Sequence, residues 1–166
     1  MYKRPDPVMD ARDEKHYAAI GKIVVLWSRF EDDIHTLVLM LAGVNDSFGR
    51  CVASQIPSLA RALDALIALA ELRSPGTSKD RSFKRRMERI QSLAEQRNRV
   101  VHDVWTFDPE STSRWPTTVR KRYAPSPKEV PTAALERLAI DIEECSDEFL
   151  QFRRDFLTTL KLWPNA

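Results

Sequence analysis

Glycine is scarce in this 166-residue chain, with four in all. A Gly-rich loop that cradles nucleotide phosphates therefore has no place in it. Cysteine is scarcer still. Cys51 and Cys145 are the two, and neither stands in a metal-binding or redox spacing. Each reads as a reduced thiol or a packed core residue, and neither has a histidine near it in sequence to make it a nucleophile. The three histidines, His16, His35 and His102, show no paired-ligand spacing, and no His-Glu-x-x-His occurs, so no metal centre is expected. No run of about 18 apolar residues is present, so no segment is expected to span a membrane. Met1 to Asp13 is charged and proline-containing, unlike a signal peptide. A cytoplasmic protein is the expectation. Neither sign of charge dominates: 26 Lys and Arg face 24 Asp and Glu, a formal net charge of +2. Nucleic-acid binding therefore requires a local basic patch.

What is present is helical periodicity. The length suits one domain over residues 1–166, with a core large enough to need no disulfide. Residues 1–11 form a lead-in with Pro5 and Pro7. From about Asp13 to Ala42, Ile20, Ile23, Val24, Trp27, Ile34, Val38 and Leu41 fall on one side of a helix. Glu31 points into the middle of that stripe, where a carboxylate needs a cation or hydrogen-bond donor. A second helix spans about Ser47–Arg73, with Val52, Ile56, Leu59, Leu63, Leu66, Ile67 and Ala70 on its core face. Pro57 should kink it or split it in two. A third helix runs from about Ser82 to Asp103, with Phe83, Met87, Ile90, Ala94 and Val101 apolar and Arg97 on the same stripe. A buried Glu31–Arg97 ion pair would explain both misplaced charges.

Residues 104–130 break the pattern with Pro109, Pro116, Pro125 and Pro127. Trp105-Thr106-Phe107 and Thr117-Thr118-Val119 are strand-like, so this long connection is a loop or a short hairpin. It also carries Trp115, Arg120, Lys121, Arg122 and Tyr123, which either stack bases and hold phosphates or anchor the loop to the helices. A last helix starts near Pro131 and runs to Leu162-Trp163-Pro164. Leu135, Leu138, Ile142, Cys145, Phe149, Phe152 and Phe156 form its seam. The predicted fold is all-α: an antiparallel four-helix up-and-down bundle with a long loop or short hairpin before the last helix.

The chemistry concentrates in Arg97-Asn98-Arg99-Val100-Val101-His102. At 100° per residue, Asn98 and His102 share one helix face, with Arg97 beside them. A guanidinium, an amide and an imidazole together can grip a phosphate and move a proton. Upstream, Lys79, Arg81, Lys84, Arg85, Arg86 and Arg89 make the same helix basic, as a solvated face or as a phosphate-contact surface. Asp32-Asp33 and Glu143-Glu144 read as solvated faces.

Arg-Asn-x-x-x-His resembles the signature of the HEPN domain, a four-helix family that includes many metal-independent ribonucleases. Arg97, Asn98 and His102 fill its arginine, polar and histidine places. The resemblance implies an endoribonuclease acting on single-stranded RNA, a toxin or phage-defence effector, with no cofactor. His102 is then the proton-transfer group at the 2′-hydroxyl or the leaving oxygen, and Arg97 stabilises the charged phosphate. Asn98 orients substrate or imidazole, and the products are a 2′,3′-cyclic phosphate and a 5′-hydroxyl. Glu31 supports Arg97. The RNA-binding candidates are Lys84, Arg85, Arg89 and Arg99 on the helix and Arg120, Lys121 and Arg122 in the connection. The resemblance also implies a homodimer with two motifs facing each other, and an antitoxin or other regulatory protein as partner. Some members of toxin pairs in this family have a tyrosine shortly after the histidine, which a partner modifies; here Asp103-Val104-Trp105 follow instead. Other HEPN domains are non-catalytic, so a helical dimer that binds a partner protein or a nucleotide is the alternative.

Overall fold

A computed structural model describes residues 11–44, 46–53, 55–56, 58–107, 112–116 and 127–162. Four long helices dominate: α1 (Ala11–Ala42), α3 (Leu59–Arg73), α4 (Arg81–His102) and α5 (Thr132–Thr159). A short α2 (Asp46–Ala53) lies between the first two. The helical region expected over 47–73 is thus divided, with α2 ending four residues before Pro57 and α3 beginning after it. Pro57 itself lies outside the described residues.

Local chemistry sets the ends. The Ser58 hydroxyl accepts from the Arg61 amide at the start of α3. The Asp80 carboxylate accepts from the Phe83 amide at 2.8 Å at the start of α4. Gly43, after α1, adopts a left-handed φ of 72°, open to glycine without steric cost. Arg73 Nε donates to the Leu41 carbonyl at 2.8 Å, fixing the end of α3 against the end of α1.

The expectation of an all-α chain is corrected. The protein is mostly helical but carries a three-stranded antiparallel sheet between α4 and α5, in the order β1 (Val104–Phe107), β2 (Thr112–Trp115), β3 (Lys128–Glu129). Val104 faces Trp115 and Phe107 faces Thr112. β3 extends the ladder, and the Val130 amide donates to the Thr112 carbonyl at 3.0 Å. Trp105, Thr106 and Phe107 favour a strand because branched and aromatic side chains fit a pleated surface. Trp105 and Phe107 then meet the buried His16 edge-on, and Phe107 stacks on Tyr17. The expected strand at Thr117-Thr118-Val119 lies outside the described residues.

α1 packs against α3, α4 and α5. Ile23, Trp27, Phe30, Ile34, Leu37 and Leu41 supply its buried side. Phe30 meets Phe149 of α5 edge-on, with ring centroids 5.6 Å apart. On α5 the expected seam holds from Leu135 to Phe149, while Phe152 and Phe156 stack on each other half-buried. Two other expectations shift. Val24 and Val101 are both 36% exposed, and Val52 is exposed, so none is core. The buried stripe of α4 runs Phe83, Met87, Ile90, Leu93, Val100. Steps of three fall short of a full turn by roughly 60°, so a stripe built on them rotates away from Val101. No helix among the described residues is long and apolar enough to cross a membrane.

Phe149 is fully buried between α1 and α5. Phe149→Ala should lower the unfolding free energy by about 3–5 kcal/mol, read by chemical denaturation; a loss under about 1 kcal/mol would contradict this packing.

Candidate functional site

Arg97, Asn98 and His102 line one cavity of about 500 Å³. That lies within the roughly 300–1,000 Å³ of small-ligand sites. α4 supplies one wall. Gln91, Glu95, Asn98 and His102 are spaced four, three and four, so one helix face presents all of them. Ala94 and Arg97 lie beside that polar row. α1 supplies Trp27 and Glu31, one turn apart. The start of α3 adds Ser58, Leu59, Ala60 and Leu63. The first amides of a helix have no intrahelical acceptor and carry the positive end of its dipole, so the α3 end favours negative charge at the cavity.

The expected Glu31–Arg97 ion pair is not formed. Among the described residues Glu31 makes no ion pair or hydrogen bond, and Arg97 Nη1 instead donates to Asn98 Oδ1 at 3.1 Å. Both side chains are half-buried rather than buried. The physical reason is the cavity itself: α1 and α4 do not close on one another here, so each ionised group reaches solvent and neither must be neutralised by the other. Arg97 Nε is buried with no hydrogen-bond partner among the described residues. The contact to Asn98 holds the guanidinium against its neighbour and leaves the rest of its fork uncommitted.

The sheet buttresses the end of α4. Trp105 Nε1–H donates to the Val100 carbonyl at 2.8 Å, satisfying one of the terminal acceptors of the helix. Asp103, the residue after His102, pairs with Arg114 of β2 at 3.4 Å in a largely buried contact. Burial lowers the Arg114 pKa first and Arg99 lowers it further, while Asp103 opposes both. His102 is thus presented by a helix terminus pinned from two sides.

The described basic residues of α4 differ in what they touch. Arg89 donates to the Glu148 carboxylate at 2.6 Å and lies 3.8 Å from Glu144, so it ties α4 to α5. The bond to Glu148 raises its pKa. Arg86 donates to the Glu148 carbonyl and covers the Phe152 ring. Lys84, Arg85 and Arg99 are exposed. Lys84 stands 18 residues before His102, roughly 27 Å along the helix. Arg120, Lys121, Arg122 and Tyr123 lie outside the described residues. Trp115 donates from Nε1 to Thr106 Oγ1 at 3.2 Å and so braces the hairpin. Cys145 is a core thiol, its pKa pushed up to about 11 by burial, and Cys51 is exposed. Among the described residues no group of three or more His, Cys, Asp or Glu side chains could hold a metal ion.

Sequence reading did not single out Gln91 and Glu95, although their spacing with Asn98 and His102 was a legible signal. The α3 residues carried no such signal, because only packing brings them to the cavity. With Glu31 unpaired, Glu31→Gln should change stability by less than about 1 kcal/mol. Breaking a buried pair would cost about 3–5 kcal/mol, and a thermal-melt loss of that size would contradict this geometry. No family model, no curated protein and no solved structure matches this chain.

Proposed function

We propose that this protein is a metal-independent endoribonuclease of HEPN type that cuts single-stranded RNA in the cytoplasm, as a toxin or phage-defence effector. One observation carries the reading: Arg97, Asn98 and His102 share a single cavity of nucleotide size. The four long helices then form that family's antiparallel up-and-down bundle, with the sheet as an insertion before the last helix.

In the proposed reaction the RNA 2′-hydroxyl attacks the adjacent phosphorus and the 5′-oxygen departs. Charge builds on the phosphoryl oxygens, where the Arg97 fork and the positive end of α3 can meet it. His102 transfers a proton at one of the two oxygens. Asn98 holds Arg97 in place through its Oδ1. The products are a 2′,3′-cyclic phosphate and a 5′-hydroxyl. A homodimer fits the exposed apolar side chains near the cavity-lining residues: Val24 stands about one turn before Trp27 on α1, and Val101 and Val104 flank His102 in the chain, each at least 36% exposed. An antitoxin or other regulatory protein could cover the same strip.

A second reading has its own support. Glu31 and Glu95 put two carboxylates in the cavity against one guanidinium, which weakens attraction for a polyanion. A non-catalytic dimer that binds a partner protein or nucleotide would suit that balance. The two readings separate in one assay. Purified protein should cleave single-stranded RNA in EDTA, and His102→Ala should abolish cleavage with an unchanged melting temperature. Wild-type protein that leaves a panel of RNAs intact sinks the nuclease reading.

A further inference from the structure

We infer that Glu31 is the second proton-transfer group of this cavity: it takes the proton of the RNA 2′-hydroxyl while His102 gives one to the departing 5′-oxygen. The inference rests on the ribonuclease reading and assigns a residue that reading leaves without a role.

Glu31 is the anomaly of α1. Trp27, Phe30 and Ile34 around it on the helix are each no more than 1% exposed. The open cavity keeps Glu31 hydrated, whereas a carboxylate with a structural role on such a helix is given a partner. Elsewhere on α1 this is what happens: Asp33 accepts from Arg153 of α5 at 2.8 Å. Glu31 has no such partner among the described residues, and Arg97, which lines the cavity with it, is turned to Asn98. It is held half-buried, unpaired and facing the cavity that also holds His102.

The reaction needs two proton-transfer groups in one turnover. Attack by the 2′-oxygen is assisted by a base, and departure of the 5′-oxygen by an acid. Within one protomer a single imidazole cannot be both in one step, so a protomer that completes its own cavity needs a second group. The attacking and leaving oxygens stand roughly in line through phosphorus, so base and acid must stand on opposite sides of it. Glu31 comes from α1 and His102 from α4, so the two lie on different walls. Glu95 is the other carboxylate there, but it shares a helix face with His102 and sits roughly 10 Å along the axis from it. It is therefore on the acid's own wall.

The step balances. The 2′-oxygen–phosphorus bond forms as the phosphorus–5′-oxygen bond breaks. Glu31 ends as the carboxylic acid and His102 as neutral imidazole, and exchange with water restores both. Nothing is oxidised or reduced. The charged and titratable groups lining the cavity with Glu31 are Glu95, Arg97 and His102.

The test is kcat/KM against pH, on a single-stranded RNA in EDTA, for the full-length wild type, Glu31→Gln, Glu31→Asp and Glu95→Gln. Wild type should give a bell, with a low-pH limb from the base and a high-pH limb from the acid. Glu31→Gln should lose roughly 10²–10⁴-fold at the plateau, together with the low-pH limb. Glu31→Asp should keep the limb and part of the rate. Wild-type cleavage with Glu31→Gln equally active, or slowed with its low-pH limb intact, overturns the assignment alone. Loss of that limb in Glu95→Gln instead does the same. A wild type that cuts no RNA overturns the ribonuclease reading and this assignment together.

Discussion

The desolvation cost of two ionised side chains governs the middle of this protein. α1 and α4 each carry an apolar stripe, and where the two helices face the cavity each stripe holds a charge, Glu31 on one and Arg97 on the other. Neither can be buried dry without a partner, and they do not pair with each other. The consequence is an open gap between the helices, lined also by the start of α3. α1 buries its other residues against α3 and α5, so the opening is supported by a core that does not depend on it.

The cationic residues divide by what they touch. Arg73, Arg86, Arg89, Arg114 and Arg153 each hold one element to another through a carbonyl or carboxylate. Guanidinium suits this work because its planar fork stays charged when partly buried. Among the described residues Arg97 is the one arginine that lines the cavity, and its bond goes to the side-chain amide next to it on the same helix. A charge whose local contact is a neighbouring amide is available to a ligand in a way the interhelical arginines are not.

Much of the helical layout was legible because long, strongly periodic stretches carry their own signal. The first, third and last helices fall within a few residues of where spacing placed them, and the break around Pro57 was foreseeable from proline's missing amide. The two-residue β3 was not legible, since Lys128-Glu129 has no alternation and exists only by pairing with β2. Val101 was misplaced because a stripe winds around its helix, and only the neighbours decide which edge is covered. Arg97, Asn98 and His102 were found from their types and spacing, and Glu31 from its conflict with its surroundings. The expected bond between Glu31 and Arg97 failed for a tertiary reason: sequence marks two charges on facing stripes but not the distance between the helices. Gln91 and Glu95 could have been found, as they continue the Asn98–His102 face by one and two turns.

The central claim is that RNA occupies the cavity between α1 and α4. The chain has three histidines, and His16 is only 1% exposed, so their imidazole resonances are few and separable. The direct measurement is NMR of those imidazoles during titration with a single-stranded 2′-O-methyl RNA, which lacks the attacking hydroxyl. The account predicts that the His102 signal moves to saturation while those of His16 and His35 stay in place. Saturable binding that leaves the His102 signal unmoved would contradict it.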